Sequence, residues 1–149
     1  MDTTGLSEQI AKLIPTGLDD IVRANRDHLC IRLPIDGEVA AISGHVHRGT
    51  PKMTFGHWRI VVFDLRTTLG EQRTDLILVG EADGRGQATS PITRLDMQTG
   101  FARTYSGSLY RLSEPISEGE PDQDELILIC ALLWKWGWGV TFGIPHFFY

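Results

Sequence analysis

Three of the chain's five histidines, His45, His47 and His57, fall within the stretch GHVHRGTPKMTFGHW. His45 and His47 are separated by one residue, so on a strand both imidazoles would point to the same face. That spacing is common among metal ligands, and His57 could be a third ligand, with Asp64 or Glu81 as a fourth. One hypothesis is therefore a small metal-dependent enzyme that uses these histidines.

Known motifs that contain such a pair need further residues that this sequence lacks. A cupin would place a glutamate after three or four intervening residues, where this chain has Pro51 or Lys52. The tetrad GHVH also resembles the late GHxH motif of metallophosphoesterases. Those enzymes need DxH and GNH motifs upstream of it, and this sequence has neither. We therefore favour the alternative in which His45 and His47 lie on a polar sheet face, and we expect no cofactor.

Other catalytic patterns are also missing. The sequence has no GxSxG nucleophile elbow and no Lys-[Ser/Thr] of a phosphate-binding loop. Cys30 and Cys130 are a hundred positions apart, each in an apolar run, which predicts two buried, reduced thiols rather than a redox or zinc motif. These observations favour an interaction protein over an enzyme.

Composition and charge limit the possible partners. Apolar residues make up 42% of the 149 residues and charged residues 22%, which is typical of a globular domain. The net charge of −5 argues against direct nucleic-acid binding, which normally uses a basic face. The polar, acidic start MDTTGLSEQI and the shortness of the apolar run LILICALLW predict a cytoplasmic protein without a membrane partner.

Hydrophobic periodicity predicts an α+β fold with N-terminal helices, an antiparallel meander or small curled barrel, and one apolar C-terminal helix. LSEQIAKLI reads as a first helix with a stripe of Leu6, Ile10, Leu13 and Ile14. Thr16 is predicted to cap a second helix with Leu18, Ile21 and Val22 on its apolar face. We expect one domain over 1–149: helical over 1–27, antiparallel β over 28–113, an acidic linker over 114–124, and a helix with a docked tail over 125–149.

The β-rich part carries its own turn signals. The runs CIRLP, EVAAISGHVH, HWRIVVFDL and DLILVGEA read as strands, and Asp36-Gly37 and Asp83-Gly84 read as tight turns. The segment from Ser90 to Pro115 predicts a three-stranded antiparallel meander, with turns at Met97 to Gly100 and at SGS.

A capping box marks the start of the last helix, because Glu125 follows Asp122 by three residues. Nearly every position from Leu126 to Trp134 is apolar, so this helix must be covered on several sides. Either the sheet curls around the helix, or one of its faces meets a partner, which could be a second copy in a homodimer. The aromatic tail after it predicts docking onto the domain.

The meander also offers a candidate binding surface. Its candidate contact residues are Arg94, Arg103, Tyr105, Tyr110 and Arg111. Arginine and tyrosine are enriched at binding hot spots. The alternative is a solvated outer sheet face on which the arginines pair with Asp96.

The strings ISGHVHRG, TSPITRLD and RTYSGSLYRLSEP resemble short uncharacterised proteins encoded in bacterial phage, plasmid and prophage regions. The matching positions are Gly44, Val46, Thr89, Ser90, Ile92, Leu95, Asp96, Thr104, Ser106, Gly107, Ser108, Tyr110, Leu112 and Pro115. The likeness covers about half of the chain and departs from the pattern between Arg48 and Gln87 and in the acidic linker and last helix.

This resemblance implies a β-rich unit of mobile-element origin and no particular reaction. Together with the residues above, it leads to the expectation of a non-catalytic interaction protein of a mobile genetic element. Its partner would be a host protein or ribonucleoprotein complex, for example a defence complex inhibited in the manner of an anti-CRISPR protein.

Overall fold

The computed structural model describes residues 14–146, which form two four-stranded sheets and two α-helices. The strands are β1 (Leu29–Arg32), β2 (Met53–Phe55), β3 (Trp58–Arg66), β4 (Gln72–Ala82), β5 (Arg85–Ala88), β6 (Ile92–Asp96), β7 (Phe101–Thr104) and β8 (Leu109–Leu112). The helices are α1 (Asp36–Ile42) and α2 (Gln123–Lys135). The predicted α+β class is confirmed.

The two sheets have different orders. The central sheet runs β1-β3-β4-β5 and is antiparallel throughout. The outer sheet runs β2-β8-β7-β6, with β2 parallel to β8 and the other pairs antiparallel. Within residues 14–146 neither sheet closes into a barrel, so the meander alternative is the one that the fold follows.

Local turn chemistry explains the hairpins. Asp83 and Gly84 both have positive φ, 56° and 73°, and they join Ala82 to its partner Arg85. Two positive φ values are the signature of the two-residue turn that matches strand twist, which confirms the predicted Asp-Gly turn. The predicted meander is confirmed as β6, β7 and β8.

The central sheet is buried on both of its faces. Val61 and Phe63 of β3 face a core shared with α2, the residues after it and the N-terminal segment. Trp58 and Ile60 face a second core shared with the outer sheet. The molecule is therefore layered, with α2 on one side of the central sheet and the outer sheet on the other.

Helix α2 begins at the predicted capping box. Asp122 Oδ1 accepts a hydrogen bond from the Glu125 N–H at 2.9 Å, and Glu125 Oε1 accepts one from the Asp122 N–H at 3.2 Å. One face of α2 is buried on the central sheet by Leu126, Ile129, Cys130 and Leu133. In the described part of the chain, no helix combines the length and apolar character needed to cross a bilayer.

A buried ion pair joins α2 to the central sheet. Arg59 of β3 is 4% exposed, and its Nε and Nη2 donate to the two carboxylate oxygens of Glu125. Its Nη1 donates to the Gly119 carbonyl at 2.8 Å, and this bond fixes the acidic linker (114–124) to β3. A charge in an apolar layer is tolerated only with such partners, so this pair positions α2 along the sheet.

The chain after α2 also packs on this core. Phe142 and Ile144 are buried, and the Trp134 indole N–H donates to the Ile144 carbonyl at 2.9 Å. The last aromatic residues, 147–149, lie outside the described residues.

The prediction of a strand over EVAAISGHVH is wrong. Residues Asp36–Ile42 form α1, and Asp36-Gly37 is its first turn rather than a hairpin turn. The Glu38 carboxylate accepts from the Ile35 N–H at 3.0 Å and pairs with Arg32 at 2.7 Å. The β-branched residues of this run favoured a strand. The cap and the ion pair stabilise a helix instead.

The N-terminal helices are not confirmed. The first predicted helix falls on residues 6–14, of which only Ile14 is described, as a bend. The second is reduced to one 3-10 turn, Leu18–Asp20. Thr16 donates its backbone N–H to Asp20 Oδ2 at 3.0 Å instead of capping a longer helix.

The two cysteines differ in exposure, so the prediction of two buried thiols is wrong for Cys30. Cys30 faces solvent on the edge strand β1, whereas Cys130 of α2 is fully buried. Burial raises the pKa of the Cys130 thiol to about 12. The alternating burial of β1 places Cys30 between the inward-facing Leu29 and Ile31.

We predict that Glu125→Gln lowers the free energy of unfolding by about 3–5 kcal/mol, because Arg59 stays buried without a carboxylate. The matched control is Asp124→Asn, which removes one charge from an exposed neighbouring position and should cost less than about 1 kcal/mol. Denaturant unfolding measures both variants, and equal losses would contradict the proposed role of the pair.

We also predict that one thiol of the native protein reacts rapidly with a thiol reagent, because Cys30 is exposed and Cys130 is buried. Cys30→Ser should abolish the rapid reaction, while Cys130→Ser should leave it unchanged. Rapid labelling of Cys130 before unfolding would show that the core around α2 is open.

Candidate interaction surface

Residues 44–52, here called the strap, cross the outer face of the outer sheet. At one end the Gly44 N–H donates to the Leu95 carbonyl at 3.0 Å, and at the other the Lys52 N–H donates to the Leu109 carbonyl at 2.8 Å. Between these anchors, Val46 packs into a small cluster with Phe101 and Leu109. The strap therefore covers the apolar part of this face and leaves its polar side chains outside.

The carboxylate of Asp96 holds the strap to the sheet. Its Oδ2 accepts the Val46 N–H at 3.0 Å, and its Oδ1 accepts the N–H groups of Gln98 and Thr99, each at 3.1 Å. Asp96 therefore binds the strap and the β6–β7 turn at once. His45 Nδ1 lies 3.4 Å from the same Oδ2.

These hydrogen bonds favour the charged form of Asp96. The Val46 N–H has the largest effect, burial opposes it, and the N–H groups of Thr99 and Gln98 add to it, so the pKa falls to about 2. A lowered pKa means that this stabilisation is complete above the unfolded-state value near 4 and is lost as the pH falls towards 2.

The same face carries arginines that face one another. Arg94 of β6 and Arg103 of β7 are direct cross-strand partners, and Arg111 of β8 follows on the same face. The register shift between Ile92 and Arg94 brings the first two into line. Like charges placed opposite each other destabilise a sheet, so this arrangement reduces stability.

No carboxylate within residues 14–146 neutralises these arginines. Arg103 donates only to the Gly107 carbonyl, at 2.9 Å, and Arg94 and Arg111 are exposed without an ionic partner. The Arg94 guanidinium packs against the strap at Gly44, where a methyl group would overlap it. The expected pairing with Asp96 is not formed, because Asp96 is committed to backbone N–H groups.

Arg48 and Lys52 add two exposed cations from the strap itself. Residues 43–55 and 89–112 together contain five basic residues and one acidic residue, a net charge of +4. The remainder has nine basic and eighteen acidic residues, a net charge of −9. We call the five cations Arg48, Lys52, Arg94, Arg103 and Arg111 the strap face.

The two candidate tyrosines differ in exposure. Tyr105 is 82% exposed just after β7, where it can reach a partner. Tyr110 is 5% exposed and contacts Phe55 in the core between the sheets, so its prediction as a contact residue is wrong. In β8 only alternate residues face outward, and Arg111 occupies the outward position next to Tyr110.

The three histidines fall in two places. His45 and His47 lie on the strap rather than on a strand, both exposed, with ring centroids 5.0 Å apart. His57 lies between β2 and β3, where its Nδ1 is 3.6 Å from Glu114. Among the described residues no group of three or more His, Cys, Asp or Glu side chains is placed to hold a metal ion.

Comparison with models of known protein families, with curated proteins and with solved structures finds no match to this chain.

Sequence reasoning found the arginines of the meander but missed Arg48, Lys52 and the role of Asp96. The spacing of basic and acidic residues along the chain already shows that 43–55 and 89–112 share a positive charge. That the two segments meet is a tertiary fact, because Val46 and Asp96 are fifty residues apart.

We predict that Asp96→Asn loosens the strap, because the amide cannot reproduce the charge-assisted bonds to all three N–H groups. Hydrogen exchange at Val46 should become about tenfold faster or more, and the melting temperature should fall. Asp64→Asn is a control at a half-buried ion pair on the central sheet and should leave hydrogen exchange in the strap unchanged.

The wild-type protein should show the same loosening when the pH is lowered from about 4 towards 2, since Asp96 then takes up a proton. Asp96→Asn should lose this pH response at Val46. An identical response in the two proteins would contradict the assignment to Asp96.

Proposed function

We propose that this chain is a non-catalytic interaction protein that binds an acidic surface of a partner protein through the strap face. The observation that supports the proposal most directly is the register of Arg94 opposite Arg103 without a neutralising carboxylate in residues 14–146. An arrangement that reduces the stability of the free protein is explained if a partner supplies the missing negative charge.

A protein partner is favoured over nucleic acid by the neighbouring side chains. Met97 in the β6–β7 turn is 48% exposed, and Tyr105 in the β7–β8 turn is 82% exposed. Aromatic residues, methionine and arginine are the side chains enriched at protein interfaces.

The resemblance to proteins of mobile elements makes the proposed partner more specific. On that basis the partner is a host protein or ribonucleoprotein complex, and a host defence complex would be inhibited by occupation of its surface. Affinity capture from a host extract, followed by identification of the captured protein, tests this part of the proposal.

We predict that Arg94→Glu with Arg103→Glu weakens binding to a fluorescent poly-glutamate peptide by at least about tenfold, as expected for arginines at the centre of an interface. The control is Arg26→Glu with Arg66→Glu, which changes the net charge equally at exposed positions elsewhere. The control should bind like the wild type, and both variants should keep the wild-type melting temperature within a few degrees.

A single-stranded RNA of equal charge provides the second arm of this test. Tighter binding of the RNA through Arg94 and Arg103, with affinity falling steeply as salt rises, would replace the acidic protein by a nucleic acid as the partner. The control variant should still capture the partner protein from host extract, whereas the Arg94→Glu, Arg103→Glu variant should not.

The metal-enzyme alternative is tested by elemental analysis of the purified protein. Stoichiometric zinc, iron or manganese that is lost in His45→Ala would contradict the non-catalytic assignment.

A further inference from the structure

The strap carries two histidines among the cations of the strap face. His45 and His47 are both exposed, and their rings lie edge to face with centroids 5.0 Å apart. Val46 between them is buried, and its N–H bond to Asp96 fixes the backbone that carries both rings. Imidazole changes its charge between about pH 5 and 8, so each of these side chains adds a positive charge to the face as the pH falls.

The charged groups around the two imidazoles are mostly cations. The Arg94 guanidinium packs on Gly44, the residue before His45, and Arg48 directly follows His47. The charged residues of the strands that the strap crosses are Arg94, Asp96, Arg103 and Arg111, and Lys52 lies at the end of the strap. Arginine and lysine keep their charge at every pH between 6 and 8, so they supply a constant attraction for an acidic partner.

Asp96 is the single carboxylate within β6, β7 and β8, and it does not titrate in this range. Its pKa is about 2, so it is fully charged above pH 6. Its Oδ2 lies 3.4 Å from His45 Nδ1, so a protonated His45 is attracted by the carboxylate that anchors the strap. Helix α1 has its own carboxylates, Asp36 and Glu38, in its first turn, whereas the strap follows its last turn. The histidines therefore supply the part of the charge of this face that varies between pH 8 and 6.

We propose that His45 and His47 make binding by the strap face pH-dependent, so that its affinity for an acidic partner rises as the pH falls from about 8 to about 6. This inference rests on the proposed function and adds a means of regulation to it. A protonated imidazole attracts a carboxylate of the partner, whereas a neutral imidazole contributes no charge. Because the partner binds the protonated form more tightly, its binding must also increase the protonation of the histidines.

The fluorescent poly-glutamate peptide tests this dependence at constant ionic strength, because glutamate side chains ordinarily stay ionised above about pH 6. The wild-type protein should bind the peptide at least about threefold more tightly at pH 6 than at pH 8, a modest gain that is typical of exposed charges. The glutamine variant, His45→Gln with His47→Gln, should lose this difference and bind at both pH values as the wild type does at pH 8.

Two further variants separate the charge of the strap from other effects of pH. His28→Gln with His57→Gln is the matched control, because it removes the same number of imidazoles from positions outside the strap face and should keep the wild-type pH dependence. His45→Lys with His47→Lys should bind tightly at both pH values, because lysine stays charged. The melting temperature of each variant at both pH values shows whether the protein remains folded.

Calorimetry at pH 7 in two buffers of different ionisation enthalpy gives an independent measurement. Peptide binding by the wild-type protein should take up protons, and binding by the glutamine variant should not. An equal pH dependence in the wild type and the glutamine variant would overturn this inference and leave the proposed function intact. A wild-type protein that binds the peptide at neither pH would overturn both.

Discussion

The burial of the central sheet on both faces is the constraint on which the rest of the structure depends. β3 has six consecutive buried residues, Trp58–Phe63, and alternate members serve two different cores. A strand covered on only one face would alternate apolar and polar residues, so this run requires a layer on each side. Helix α2 supplies one layer and the outer sheet supplies the other.

The exception within this run explains how α2 is positioned. Arg59 is buried among apolar neighbours and has its carboxylate partner on α2 and a carbonyl partner in the acidic segment. Because an uncompensated buried charge is costly, the helix is held where Glu125 reaches Arg59. The same placement buries Leu126, Ile129, Cys130 and Leu133 of α2 on the sheet.

The layered arrangement also separates charge. The outer sheet and the strap collect the positive segments, while the acidic loop and the start of α2 lie by the central sheet. Charges further apart than about 8 Å are largely screened at physiological ionic strength, so a partner responds to the local face rather than to the total of −5. The strap face can therefore attract an acidic partner although the chain as a whole is acidic.

Local rules were enough for several elements. The Asp83-Gly84 turn, the capping box at Asp122 and the three-stranded meander each depend on residues close in sequence, and all three are confirmed. The strand predicted over EVAAI failed because Arg32 and Glu38 stabilise a helix there, a contact that strand propensity does not include.

The candidate surface was also predicted only in part from the sequence. The sequence predicted that Arg94, Arg103 and Arg111 lie on neighbouring strands of the meander. Their common face depends on the strand register, including the shift between Ile92 and Arg94. Which tyrosine faces outward, the crossing of the strap and its attachment to Asp96 were decided only by the tertiary structure. They depend on strand register and on contacts between residues fifty positions apart, and the free energy of such contacts exists only once both layers have packed.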